Sequence, residues 1–409
     1  MKSNGNGYFW NAAAGLLNAG EAVILSMVVT RTGGLADAGV LSMAFASGNL
    51  MMSIGKFGVR SYQATDVAGD FSFSDYFWAR VVSVTLMLIV SLLYIFYCIR
   101  AKGYGGEKAA IVFAFCFIYA VEAMEDVFWG LYQQKQALDT GAKLFVLRWL
   151  TILGICISVL VFFHDLCLAS VFGAAVSMAV FCISNRLAFG KFQEKVLRIR
   201  TGAVREVLCR CFSLFIASFM TIYVTNASKY AIDRYLTEEV QACYGFIAMP
   251  VFVIGLLNGF LYQPSLVRMA LEWKECRIDC FRRRAGRQCA VLLGLTVMCL
   301  LGAYLCGIPV LSAIYGTDLS GYKKELLVLL CGGGMFAYAG YFSILLTIMR
   351  KQEMVMYGYV AVSALSMIFS NSLVRIYGVS GAAALYALLM GVLAGIFAFA
   401  YITEIKNAC

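Results

Sequence analysis

Apolar runs of about twenty residues, long enough to cross a ~30 Å hydrocarbon core as helices, recur along this chain between short polar intervals. They fall at residues 9–30, 38–59, 76–99, 109–132, 142–163, 166–185, 207–228, 241–263, 288–310, 325–348, 353–374 and 379–402. The longest polar interval, residues 186–210 (RLAFGKFQEKVLRIRTGAVREVLCR), lies near the midpoint. Helices are the expected form, because an open strand edge in lipid leaves backbone donors and acceptors unpaired. The pattern predicts an all-α, polytopic membrane protein of about twelve transmembrane helices in two six-helix bundles. The bundles are expected at 1–185 and 207–409, joined by a basic cytoplasmic linker at 186–206.

Three prolines modify this picture. Pro250 lies inside the eighth run, Pro264 closes it and Pro309 lies near the end of the ninth, so these two spans are expected to flex. A comparison of the halves at an offset of 201 aligns Leu35 with Leu236, Asp37 with Glu238 and Phe45 with Phe246, as an internal duplication predicts.

Composition agrees with a membrane location. Hydrophobic residues make up 62% of the chain and charged residues 14%, with a mean hydropathy of +0.81. The first apolar run is too long for a cleavable signal peptide and is expected to remain as a span. Most of the fifteen cysteines lie in apolar runs without a CxxC pair, so they read as reduced and buried. The net charge of +10 has no soluble basic face with interleaved aromatics behind it, and nucleic acid is not an expected partner.

Charge distribution orients the chain. With both termini in the cytoplasm, 23 lysines and arginines lie inside and nine outside, as the positive-inside rule requires. The basic interval 268–287 reads as a cytoplasmic amphipathic segment against lipid headgroups, most simply as a positive-inside anchor.

Several charges fall within the apolar runs, where each costs at least ~2.5–3.5 kcal/mol on insertion scales and so needs a partner or a wet cavity. Glu21 lies about halfway along the first span. Glu122, Glu125 and Asp126 share one face of the fourth, and Trp129 and Gln133 continue that stripe. Arg148, in the fifth span, is expected at the depth of Asp126. An internal ion pair fixing this hairpin is one reading. The other is a proton or sodium site at Glu21, Glu122, Glu125 and Asp126, since three acids facing one arginine leave a negative surplus.

Lys56 and Arg60 stand one helical turn apart at the end of the second span, with Arg80 near the start of the third. They suit a phosphate or pyrophosphate at a cavity mouth, or they snorkel to the interface; for Arg80 snorkelling is the simpler account. No phosphate loop, GxSxG or HExxH motif occurs, so no catalytic residue, metal site or cofactor is expected.

The segment NASKYAIDRYLTEEVQACYGFIAMP (226–250) resembles polysaccharide-export flippases of the multidrug/oligosaccharidyl-lipid/polysaccharide exporter superfamily. The segment RTGGLADAGVLSMAFASGNLMMSIGKFGVRSYQ (31–63) looks like that family's first helical hairpin. The resemblance implies a MATE-like fold whose two bundles form a V around a cavity and alternate between inward and outward openings. It also implies a polyprenyl-linked oligosaccharide as substrate for cell-surface polysaccharide (lipopolysaccharide or capsule) biosynthesis. A bacterial cytoplasmic membrane follows as the location, with membrane lipids and polysaccharide-assembly enzymes as candidate partners. Carried over by position, the cavity cations correspond to Arg60, Lys56 and Arg148, and the polar residues of the seventh span to Asn226 and Lys229. Lipid II flippases of the superfamily carry two further C-terminal helices beyond these twelve spans, which argues against that branch. A cation-coupled multidrug exporter of the same fold is the alternative, and a membrane-embedded polymerase or ligase a more distant one.

Overall fold

The computed structural model describes residues 5–66, 69–192, 196 and 198–408. The chain forms two compact units, residues 1–222 and 223–409. Its architecture is helical throughout the described residues, as the hydropathy pattern predicts.

The first unit contains α1 (Gly5–Thr32), α2 (Leu35–Lys56), the short α3 (Val59–Thr65), α4 (Phe73–Lys102), α5 (Gly106–Gln134), α6 (Leu138–Phe163) and α7 (Leu166–Phe189). A 3-10 turn at Gly190–Phe192 ends α7, and α8 (Thr201–Tyr235) begins after it. The second unit contains α9 (Glu238–Lys274), α10 (Ile278–Gly302), α11 (Ile308–Tyr315), α12 (Lys323–Ile348) and α13 (Gln352–Ala408). Nine segments among the described residues are long and apolar enough to span a bilayer, and the last, Gln352–Asn407, has length for two passages. Gly378, at φ 57°, divides α13 into those two. Counted this way the nine segments give ten passages, and α5 and α9, both of membrane length, bring the described helices to twelve. The acid-bearing α5 is not among the nine, because its carboxylates interrupt the apolar run.

Four local differences from the hydropathy reading have physical causes. The second span stops at Lys56, and Phe57 (φ 46°) and Gly58 (φ 70°) turn the chain left-handed before α3. Gly58 is needed there, because a Cβ would also lie 2.7 Å from Leu214 Cβ. Pro264 does not close the eighth span, since α9 continues to Lys274. Pro309 follows a π-helical turn at Ala303–Gly307, which absorbs the carbonyl that proline leaves unpaired. The basic interval 268–287 is not a separate segment but the end of α9, the turn at 275–277 and the start of α10, and Arg284 closes that turn by an ion pair to Glu272 at 2.6 Å.

The first part of α8 packs with the first unit. Val204, Val207 and Cys211 share a buried cluster with Phe57, Val59, Phe73, Tyr76 and Phe128. Arg200 is fastened by its Nε, which donates to Asp75 Oδ1 at 2.9 Å. The unit boundary therefore lies at residue 222.

Within the first unit, α2 lies directly against α5. A Cβ added at Gly48 would meet Tyr119 Cδ2 at 2.4 Å, closer than any real contact. Glycine is what lets the two backbones approach. Gly48→Ala is expected to destabilise the protein by about 1–3 kcal/mol as overpacking, seen as a lower melting temperature in detergent. Gly154→Ala, with nothing within 4 Å of its Cβ, is expected to leave that temperature unchanged.

Candidate functional site

The site is built on one face of α5. At 3.6 residues per turn, Glu125 and Asp126 project about 60° and 40° to either side of Glu122. All three are buried, at 5%, 8% and 6% exposure. Their divergence sends Glu125 toward α6, Asp126 toward α3 and α4, and leaves Glu122 between them.

Each side meets cations from other helices. Arg148 of α6, fully buried, donates from Nε to Glu125 Oε2 at 2.9 Å and from Nη2 to Glu122 Oε2 at 3.3 Å. Its Nη1 reaches Ser177 Oγ of α7 at 3.3 Å, and Trp149 Nε1 adds a bond to Glu122 Oε2 at 3.2 Å. The other oxygen of Glu122 accepts from Lys56 Nζ at 3.0 Å. Asp126 accepts from Arg80 Nη2 at 2.8 Å and from Arg60 Nη1 at 3.3 Å.

Arg80 departs most from the sequence reading. It does not snorkel: it is completely buried, and its Nη1 donates to the Gly55 carbonyl at 2.7 Å. Ser83 Oγ donates to the same carbonyl at 2.7 Å. This carbonyl belongs to the last turn of α2, just before the break, where helical partners run out. Ser72 at the N-cap of α4 gives its amide to Asp75 Oδ2 at 2.8 Å, so α4 starts early enough to place Arg80 two turns inside.

The ion pair expected to fix this hairpin forms, but Arg148 takes Glu125 and Glu122 rather than Asp126, because it lies on the Glu125 side of the stripe. The expected negative surplus is absent. Lys56, Arg60, Arg80 and Arg148 equal in number the four acids Glu21, Glu122, Glu125 and Asp126. Lys56 and Arg60 also do not share a helix: they flank the Phe57–Gly58 break on α2 and α3.

Burial sorts the cations into two layers. Arg80 and Arg148 have no exposed side-chain surface, whereas Lys56 and Arg60 keep 34% and 29% of theirs. Arg60 also lies over the Trp129 ring, 4.3 Å from its centroid. Glu122 and Asp126 thus each hold one enclosed cation and one accessible cation.

Glu21 of α1 sits at the edge of the network. Its Oε1 accepts from Tyr119 Oη at 3.3 Å, and its buried Oε2 has no partner among the described residues. Asn226 and Lys229 belong to the second unit. Lys229 is half-buried on α8 and has no ion pair among the described residues.

Comparison with known proteins places the fold. No protein-family model matches the sequence, and no curated protein matches it. The structure is similar to the inward-facing conformation of a multidrug resistance MATE family transporter of the MOP superfamily, with a TM-score of 0.73 at 9% identity over 95% of each chain. It is similar to the lipid II flippase MurJ in an inward closed conformation, at 0.71 and 12% identity, covering 97% of this chain and 89% of MurJ. A MOP superfamily transporter from Pyrococcus furiosus, described as having a binding pocket of reverse polarity that suggests a different function, matches at 0.58 and 13% identity over 98% and 94%. The chain therefore has the MATE fold, in a multi-pass membrane protein.

Removing Arg80 leaves Asp126 with only the longer contact to the partly exposed Arg60, a loss approaching that of a fully stranded buried charge, about 3–5 kcal/mol. Arg80→Met is expected to destabilise the protein by that order, measured by thermal unfolding in detergent. Arg80→Met combined with Asp126→Leu is expected to recover most of the loss. A single variant as stable as the parent would show that the pair does not hold α4 to α5.

Proposed function

We propose that this protein is a flippase that moves a polyprenyl-linked oligosaccharide across the bacterial cytoplasmic membrane for surface polysaccharide assembly. Both termini lie in the cytoplasm in this reading, and transport proceeds by alternating access of the two helical units. The observation that carries it is the pairing of each accessible cation with an acid that a buried arginine also holds. Lys56 can leave Glu122, and Arg60 can leave Asp126, without stranding a buried carboxylate.

Two cations released together on either side of the α2–α3 break match the two charges of a lipid-linked pyrophosphate. Arg60 offers a planar fork and Lys56 a point charge. When the anion departs, Glu122 and Asp126 take the cations back, so no charge is left bare at any stage. The glycan needs this wet, polar route, whereas the prenyl tail stays in lipid. Asn226 and Lys229 are proposed as further contacts for the polar headgroup.

A second reading, a cation-coupled multidrug exporter, draws on one specific observation. Glu21 is buried, with a carboxylate oxygen that has no partner among the described residues, as suits a site that takes up and releases a proton. Similarity to both a MATE transporter and MurJ is compatible with either cargo. In the flippase reading, Glu21 and the α5 acids are the candidates for ion coupling.

Substitution of Lys56 and Arg60 by Gln separates the two. The flippase reading predicts loss of surface polysaccharide in cells producing the variant, with drug susceptibility unchanged. Altered drug susceptibility with normal surface polysaccharide would overturn it in favour of the exporter.

A further inference from the structure

We propose that a groove on the first unit binds one acyl chain of an anionic phospholipid, with its headgroup on Arg205. The groove is about 530 Å³ in volume and is lined by Phe57, Val82, Val204, Leu208 and Phe212, with Arg205 as its charged member. It runs beside α8 from Thr201 to Phe212, a rise of about 16 Å at 1.5 Å per residue. From Arg205 to Phe212 the groove runs about 10 Å, so it takes the upper part of a chain in a leaflet whose share of a ~30 Å hydrocarbon core is about 15 Å. Its open walls are apolar: Val82 and Phe212 are exposed at 42% and 53%.

Charge selects the headgroup. Arg205 is exposed and makes no ion pair among the described residues. Its neighbours are engaged, Arg200 with Asp75 and Arg210 with Glu206 and Asp70. A cation one turn from the Thr201 end of an apolar groove, near where α2 ends and α4 and α8 begin, complements a phosphodiester headgroup of that leaflet.

The groove also touches the candidate site through one residue. Phe57 forms part of its wall and is the first of the two left-handed residues between Lys56 and Arg60. On its other side the Phe57 ring stacks on Phe215, with centroids 4.4 Å apart and planes 6° from parallel. A chain lying in the groove packs against the residue that sets the angle between α2 and α3. The lipid then stabilises the break and the two cations it separates.

The test uses the full-length protein purified in detergent, with phosphatidylglycerol and phosphatidylcholine of identical acyl chains as probes. Native mass spectrometry and melting temperature read out binding. Phosphatidylglycerol is expected to be retained and to raise the melting temperature, and phosphatidylcholine to do neither. Arg205→Glu is expected to weaken phosphatidylglycerol retention at least roughly fivefold, as loss of one basic contact with an anionic lipid predicts, whereas Arg205→Lys keeps it. Val82→Trp, which fills the groove, is expected to abolish retention. Equal retention of the two lipids, or an Arg205→Glu variant that binds like the parent, would overturn the proposal. Displacement of phosphatidylglycerol by a polyprenyl phosphate, lost in Val82→Trp, would also overturn it and give the groove to the transported lipid.

Discussion

The first unit depends on three carboxylates on one face of α5 being matched by cations from α2, α3, α4 and α6. A lone carboxylate at that depth is unfavourable, so it recruits partners. The partners come from different helices, and their pairing fixes where those helices stand. Arg80 ties α4 to α5 and to the last turn of α2, and Arg148 ties α6 to α5 and α7. Such pairs are weak sources of net stability, because desolvation offsets most of the attraction. They are strong sources of specificity, since a helix out of place strands a charge. The layering of cations then gives this structural device a chemical use: the buried members hold, and the accessible members are available.

The second unit handles its polar groups differently. Ser228 Oγ donates to the Ala382 carbonyl at 2.8 Å and Asn258 Nδ2 to the Ala337 carbonyl at 3.3 Å, so hydroxyl and amide bonds to backbone do much of the work. Lys229 is a half-buried cation on α8. Two of the three positions aligned across the halves have like settings. Asp37 and Glu238 occupy the first turns of α2 and α9, and Phe45 and Phe246 are both buried.

Much of the fold was legible because hydropathy acts over whole spans. The run at 109–132 becomes α5, Gly106–Gln134, and the run at 166–185 becomes α7, Leu166–Phe189. The site was legible in part. The stripe of Glu122, Glu125 and Asp126 follows from helical spacing, and the involvement of Arg148, Lys56 and Arg60 follows from their cost in lipid. Partner identity did not follow, because depth along a helix is readable from sequence and azimuth relative to a neighbour is not. Arg80 was missed for a local reason. Starting the third span at residue 76 puts Arg80 at the interface, whereas the Ser72–x–x–Asp75 capping box marks the true start and puts it inside. The Gly–Lys–Phe–Gly sequence at 55–58 likewise carried a helix-stop signal that the continuous apolar run concealed.

The most direct test of the account is the affinity of the purified protein for a polyprenyl pyrophosphate, compared between the parent and a Lys56→Gln, Arg60→Gln double variant. The account predicts about a tenfold or greater loss of affinity, each tenfold being ~1.4 kcal/mol, with the melting temperature nearly unchanged because Arg80 and Arg148 still hold the acids. Unchanged affinity, or unfolding as severe as that caused by removing Arg80, would contradict it.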